Sequence, residues 1–150
     1  LKMTEKYFKE NSVSVSVNLQ EDLPKALCNE SIIHQAIMNM FTNAIEAMKQ
    51  GGKLKIKTWF TPITNMVKID IQDSGTGIQK SIIGKIFDPF FSTKPSGERT
   101  GLGLYISYEM IRKAGGNIRV VSSAVDDGNE SGIHTGTTFT IELPVVRQEG

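Results

Sequence analysis

Between residues 32 and 48 the apolar side chains fall at Ile32, Ile33, Ala36, Ile37, Met40, Phe41, Ala44, Ile45 and Met48. That is the three- and four-residue spacing of one helix face. Asn29 and Ser31 stand ahead of the stripe as possible N-caps, and Gly51 and Gly52 follow it as a stop. A one-sided apolar stripe must be buried against a second layer, and the rest of the chain supplies a sheet for it. Val13, Val15, Val17 and Leu19 alternate with serines and an asparagine, the period of a half-buried strand. Further strands are predicted near 53–60 and 66–72, joined by a TPITN hairpin turn, and near 117–124 and 137–143. A short helix is predicted over Ser81–Phe87, and a second long one from about Leu102 to Lys113, stopped at Gly115 and Gly116. Residues 92–100 (STKPSGERT) and 126–136 lack periodicity and are predicted loops, the first mobile. Strand, helix, two strands, short helix, loop, helix and two strands fit a mixed sheet with helices packed on one face. The serine alternation predicts a partly wet opposite face.

At 150 residues, 39% hydrophobic and 22% charged, the chain is one ordinary globular domain with no internal repeat. Seventeen Lys and Arg against sixteen Asp and Glu leave +1, which argues against nucleic acid or an anionic membrane as a partner. Cys28 has no second cysteine, and with two separated histidines it makes no zinc or catalytic-triad spacing. A reducing, cytoplasmic setting is expected. No run of eighteen apolar residues and no signal peptide occurs, and the sequence opens at Leu1 without a methionine. A sensor, a membrane span or a dimerisation segment is therefore expected outside these residues. Residues 1–10 read as a linker or the end of a preceding helix, 11–146 as the domain and 147–150 as a tail.

Three segments carry possible chemistry. DSGTGI (73–78) ends a strand on a carboxylate and follows it with two glycines, which suits a tight turn or a ligand site equally. Asn39 and Asn43 stand four apart on one helix face, either at the solvent boundary or aimed into a site. TGLGL (100–104) opens a helix with bare backbone N–H groups, suited to phosphate or to close helix packing.

Together, NMFTNAIEAM, DSGTGI, IFDPFFSTK, TGLGLYI and GTTF, in that order over residues 39–139, resemble the N, G1, F, G2 and G3 boxes of the catalytic ATP-binding domain of sensor histidine kinases. These belong to the GHKL superfamily, with the gyrase B subunit, the MutL repair proteins and a heat-shock chaperone. The resemblance implies a Bergerat-type α/β two-layer sandwich that binds ATP and Mg2+. It implies that Asp73 accepts a hydrogen bond from the adenine amine, that Gly75 and Gly77 let backbone approach the purine, and that Thr138 stands beside Asp73. Ile78 and Ile86 would supply apolar wall. Asn43 matches the magnesium ligand, and Asn39 would support the phosphates or the ion's hydration shell. Gly101 and Gly103, with Thr100, Leu102 and Leu104, would cradle the phosphates, and Lys94 would reach the γ-phosphate. Phe87, Phe90 and Phe91 read as hinge and core.

Many histidine kinases carry a basic residue three positions after the metal-binding asparagine. Here that residue is Glu46, and Lys94 is a candidate to supply the charge. The NAIEAM form resembles nitrogen-regulation and sporulation kinases. Hydrolytic superfamily members and anti-sigma-type serine kinases place a glutamate where Asn39 stands, and an amide cannot act as a base. The resemblance therefore implies γ-phosphoryl transfer to a histidine on a separate dimerisation domain, then to a response regulator receiver domain. The isolated domain is expected to be monomeric and the full-length protein homodimeric. Neither His34 nor His134 has the context of the acceptor. The competing readings are a nucleotide-binding scaffold without transfer and a GHKL ATPase.

Overall fold

The computed structural model describes residues 2–93, 102–124 and 135–146. Helices α1 (Lys2–Glu10), α2 (Glu30–Ala47), α3 (Lys80–Ile83) and α4 (Gly103–Lys113) accompany strands β1 (Val13–Leu19), β2 (Gly52–Thr61), β3 (Met66–Asp73), β4 (Asn117–Ser123) and β5 (Gly136–Pro144). Among the described residues the strands form one sheet in the order β1-β2-β3-β5-β4. The β1–β2 pair is parallel and the other three pairs are antiparallel, so the sheet is mixed.

Asn29 caps α2, its side-chain oxygen accepting from Ser31 N at 2.9 Å. The predicted stripe becomes the core: Ala36, Met40, Phe41, Ala44 and Ile45 pack against Leu54, Ile71, Phe139 and Ile141 of the sheet. In β3 and β5 the odd-numbered residues Ile71, Asp73, Thr137, Phe139, Ile141 and Leu143 are buried under the helices. The even-numbered ones take the opposite, polar face, where the Thr140 hydroxyl donates to Asp70 at 2.5 Å and Glu142 pairs with Arg119 at 2.7 Å. This is the two-layer sandwich with helices on one side, and Lys2–Glu10 adds helix α1, whose Phe8 packs edge-on to Phe41 at 5.2 Å.

Two expectations change. The predicted helix over Ser81–Phe87 is only one turn, because Gly84 ends it and the chain continues through three-residue turns, Lys85 N to Ile82 O and Asp88 N to Lys85 O. In β1 only Val13 is buried, whereas Val17 and Leu19 are 51% and 55% exposed. The strand lies at the sheet edge, where the short helix α1 meets it, while α2 and α4 pack on β3, β4 and β5.

Candidate functional site

A cleft of about 1240 Å³ opens between α2, the loop after β3 and the start of α4. At its floor lies Asp73, the last residue of β3, flanked by Leu54 on β2 and Thr137 on β5. The carboxylate accepts from Gly75 N at 2.8 Å, a local turn of the kind Asp favours, so the turn and the site are the same feature. Burial holds the Asp73 carboxyl above its ordinary value of 3.8, and backbone N–H bonds from Gly75 and Thr137 partly oppose this.

The glycines after it are dictated by protein neighbours. A Cβ on Gly75 would lie 2.6 Å from Ala47 Cβ, where the loop seats on the end of α2 with Thr76 N donating to Ala47 O. Gly77 has φ +75°, and a Cβ there would collide with the Ser123 carbonyl oxygen. The loop is fixed further by Ile78 N to Ser122 Oγ and Thr135 Oγ1 to Gly75 O, both 2.7 Å.

Asn39, Asn43, Asp73, Gly75, Gly77, Ile78, Ile86, Gly103 and Leu104 all line this one cleft. Residues separated by up to 65 positions are thus brought together. Leu102 precedes α4 and does not line the cleft, and Lys94, Thr100 and Gly101 lie outside the described residues. Thr138 is a correction. It pairs with Gln72 and Val121 on the polar face, and the threonine beside Asp73 is Thr137, buried and lining the cleft. A strand alternates sides, and Thr137 shares the parity of buried Phe139. That signal was present in the sequence. Ser122, which bonds Thr137 Oγ1 at 2.7 Å, carried none, because only strand pairing brings it there. The exposed Lys49 on the rim was likewise unmarked by any motif.

The donor set suits a nucleotide. A buried carboxylate among Ile78, Ile86 and Phe139 matches an amino-bearing aromatic base in an apolar slot. At the other end the N-cap of α4 is Leu102, whose side chain cannot cap, and the first-turn N–H groups of such a helix start are suited to phosphate oxygens. Asn43 offers the kind of neutral oxygen that a largely hydrated Mg2+ accepts.

Residues 28–147 match the family described as histidine kinase-, DNA gyrase B- and HSP90-like ATPase. The sequence is 38% identical over 127 residues to the signal transduction histidine-protein kinase AtoS of Escherichia coli K12, covering 85% of this chain and 19% of that protein. Against sporulation kinase E of Bacillus subtilis 168 it is 33% identical over 135 residues, covering 90% and 17%. The chain thus spans about a fifth of these curated relatives. The catalytic domain of histidine kinase ThkA superposes with a TM-score of 0.76 at 27% identity, over 96% of this chain and 86% of that one. Full-length ShkA, solved with AMPPNP, shares the fold with a TM-score of 0.78 at 20% identity, over 98% and 28%. With four-fifths of its length matched to the family, the chain belongs to the histidine kinase-, gyrase B- and HSP90-like ATPases, as a catalytic domain of the sensor histidine kinase type.

Proposed function

We propose that this domain binds MgATP in the cleft and delivers the γ-phosphoryl group to a histidine on a separate dimerisation domain, in the cytoplasm. The observation that carries the reading is the joining of Asp73, Asn43 and the start of α4 in one cleft, an adenine-type acceptor at one end and phosphate-type donors at the other. Asp73 would accept from the adenine amine, and a guanine carbonyl in the same place would face a buried acceptor. Gly103 and Leu104 would present backbone N–H groups to the phosphates. Asn43 would hold Mg2+, which when bound spreads the charge that develops on the transferring phosphoryl group. Lys94, Thr100 and Gly101 remain candidates for the same phosphate end.

In the transfer the bond from the γ-phosphorus to the β-bridging oxygen breaks, a phosphorus–nitrogen bond forms to the incoming imidazole, and ADP leaves. This chain supplies position and electrostatics, and the nucleophile comes from the other domain. His34 is exposed on α2, and His134 lies outside the described residues. A phosphohistidine so formed would pass its group to an aspartate on a receiver domain.

The test is incubation with γ-labelled ATP, with and without the parent protein's histidine-bearing domain, alongside a phosphate-release assay. The expected result is ATP binding without hydrolysis or self-labelling by this chain alone, and acid-labile, alkali-stable labelling when the second domain is added. Rapid phosphate release by the chain alone would support an ATPase instead. Labelled serine on an added protein would support an anti-sigma-type kinase, and tight binding with silence throughout a scaffold.

A further inference from the structure

Asn39 lies one turn before Asn43 on α2, yet its amide does not reach into the cleft to donate. Its Nδ2 donates to Gly103 O at 3.1 Å and to Ser107 Oγ at 3.0 Å, which uses both N–H groups. The orientation follows from chemistry: a flipped amide would set its oxygen against the Gly103 carbonyl, acceptor against acceptor. Oδ1 receives a long 3.5 Å bond from Gln35 Nε2. Ser107 is only 2% exposed, so water does not substitute for Asn39 at its hydroxyl. A Cβ on Gly103 would stand 3.4 Å from the Asn39 amide, an ordinary contact distance, so the start of α4 packs directly against this side chain. A glutamate at position 39 would bring acceptors, where the Gly103 carbonyl needs a donor.

We propose that Asn39 and Ser107 form a latch between α2 and α4, and that Ser107 is a positioning residue for the phosphate end of the nucleotide. The latch sets the first turn of α4 at a fixed distance from Asn43, one helical turn along α2. Phosphates that contact both helices then bind a preorganised pair, and without the latch binding must also order the two helix faces. The base end, built from Asp73 and the β3–α3 loop, is independent of it. The proposal rests on the ATP-binding reading above and assigns Asn39 to orientation instead of to direct phosphate contact.

The test compares Ser107→Ala with the unaltered chain by calorimetry, using MgATP and, separately, adenosine. Loss of the Asn39–Ser107 hydrogen bond should weaken MgATP about three- to tenfold and leave adenosine unchanged. Combining Ser107→Ala with Asn39→Ala should cost MgATP little more than Asn39→Ala alone, because the two residues act as a unit. Parallel losses for both ligands would reduce the pair to a general structural contact and overturn the latch, as would unchanged MgATP affinity. Failure of the unaltered chain to bind either ligand would overturn the nucleotide reading itself, and the latch with it.

Discussion

Asp73 is where local chemistry and ligand chemistry meet. Its carboxyl is pushed up by burial, so the folded domain holds the proton more tightly than the unfolded chain. The group's contribution to stability is therefore full below its ordinary value of 3.8 and is lost as pH rises through the raised folded value. Nucleotide binding has the opposite slope, since an adenine amine selects the ionised carboxylate. ATP affinity measured by calorimetry should fall on acidification through that raised value, and Asp73→Asn should bind weakly with no such dependence. Strand parity gives a second expectation. Thr137→Val removes a buried hydroxyl that bonds Ser122 and lines the cleft, so it should cost about 1 kcal/mol of stability and also lower ATP affinity. Thr138→Val, on the polar face, should leave affinity unchanged in the same titration.

Helix α1 is nine residues long, too short to persist alone, and tertiary packing holds it. Phe8 supplies the anchor against Phe41, while its neighbour Tyr7 is 44% exposed. Phe8→Ala should destabilise the domain by about 3 to 5 kcal/mol in urea titration, and Tyr7→Ala should fall within about 0.5 kcal/mol of the parent. Equal effects would mean that α1 is not docked through Phe8. Strand β1 shows the reverse situation, an apolar alternation whose outer positions no helix covers.

Across the whole molecule, α2 joins the sheet core to the cleft, with Met40 and Ala44 packed inward and Asn39 and Asn43 toward the ligand end. Binding that engages Asp73, Asn43 and the start of α4 together bridges elements that must separate on unfolding. MgATP at a hundred times its dissociation constant should therefore add about 2.7 kcal/mol of stability. In thermal denaturation that is a rise of roughly 5 to 10 °C for a domain of this size. Asp73→Asn should lose most of the rise at the same nucleotide concentration, and a full shift in the variant would remove that residue from the binding site.

The sequence by itself determined the layer architecture, because a period of 3.6 is a local property and strand runs are bounded by local turn signals: the α2 stripe and the strands at 66–72 and 137–143 all appear, and of the two cap candidates Asn29 is the one used. It also marked part of the cleft lining, since Asn39, Asn43, Asp73, Ile78, Ile86 and Gly103 sit in the motifs that carry the family resemblance. The tertiary structure decided what depends on pairing and coverage. It chose Thr137 over Thr138 by strand register, left Val17 and Leu19 bare by placing β1 at the edge, and shortened the helix at Gly84. It also turned the Asn39 amide toward Gly103 and Ser107, 64 and 68 positions away, a partnership that no local period encodes because it exists only once α2 and α4 are packed side by side.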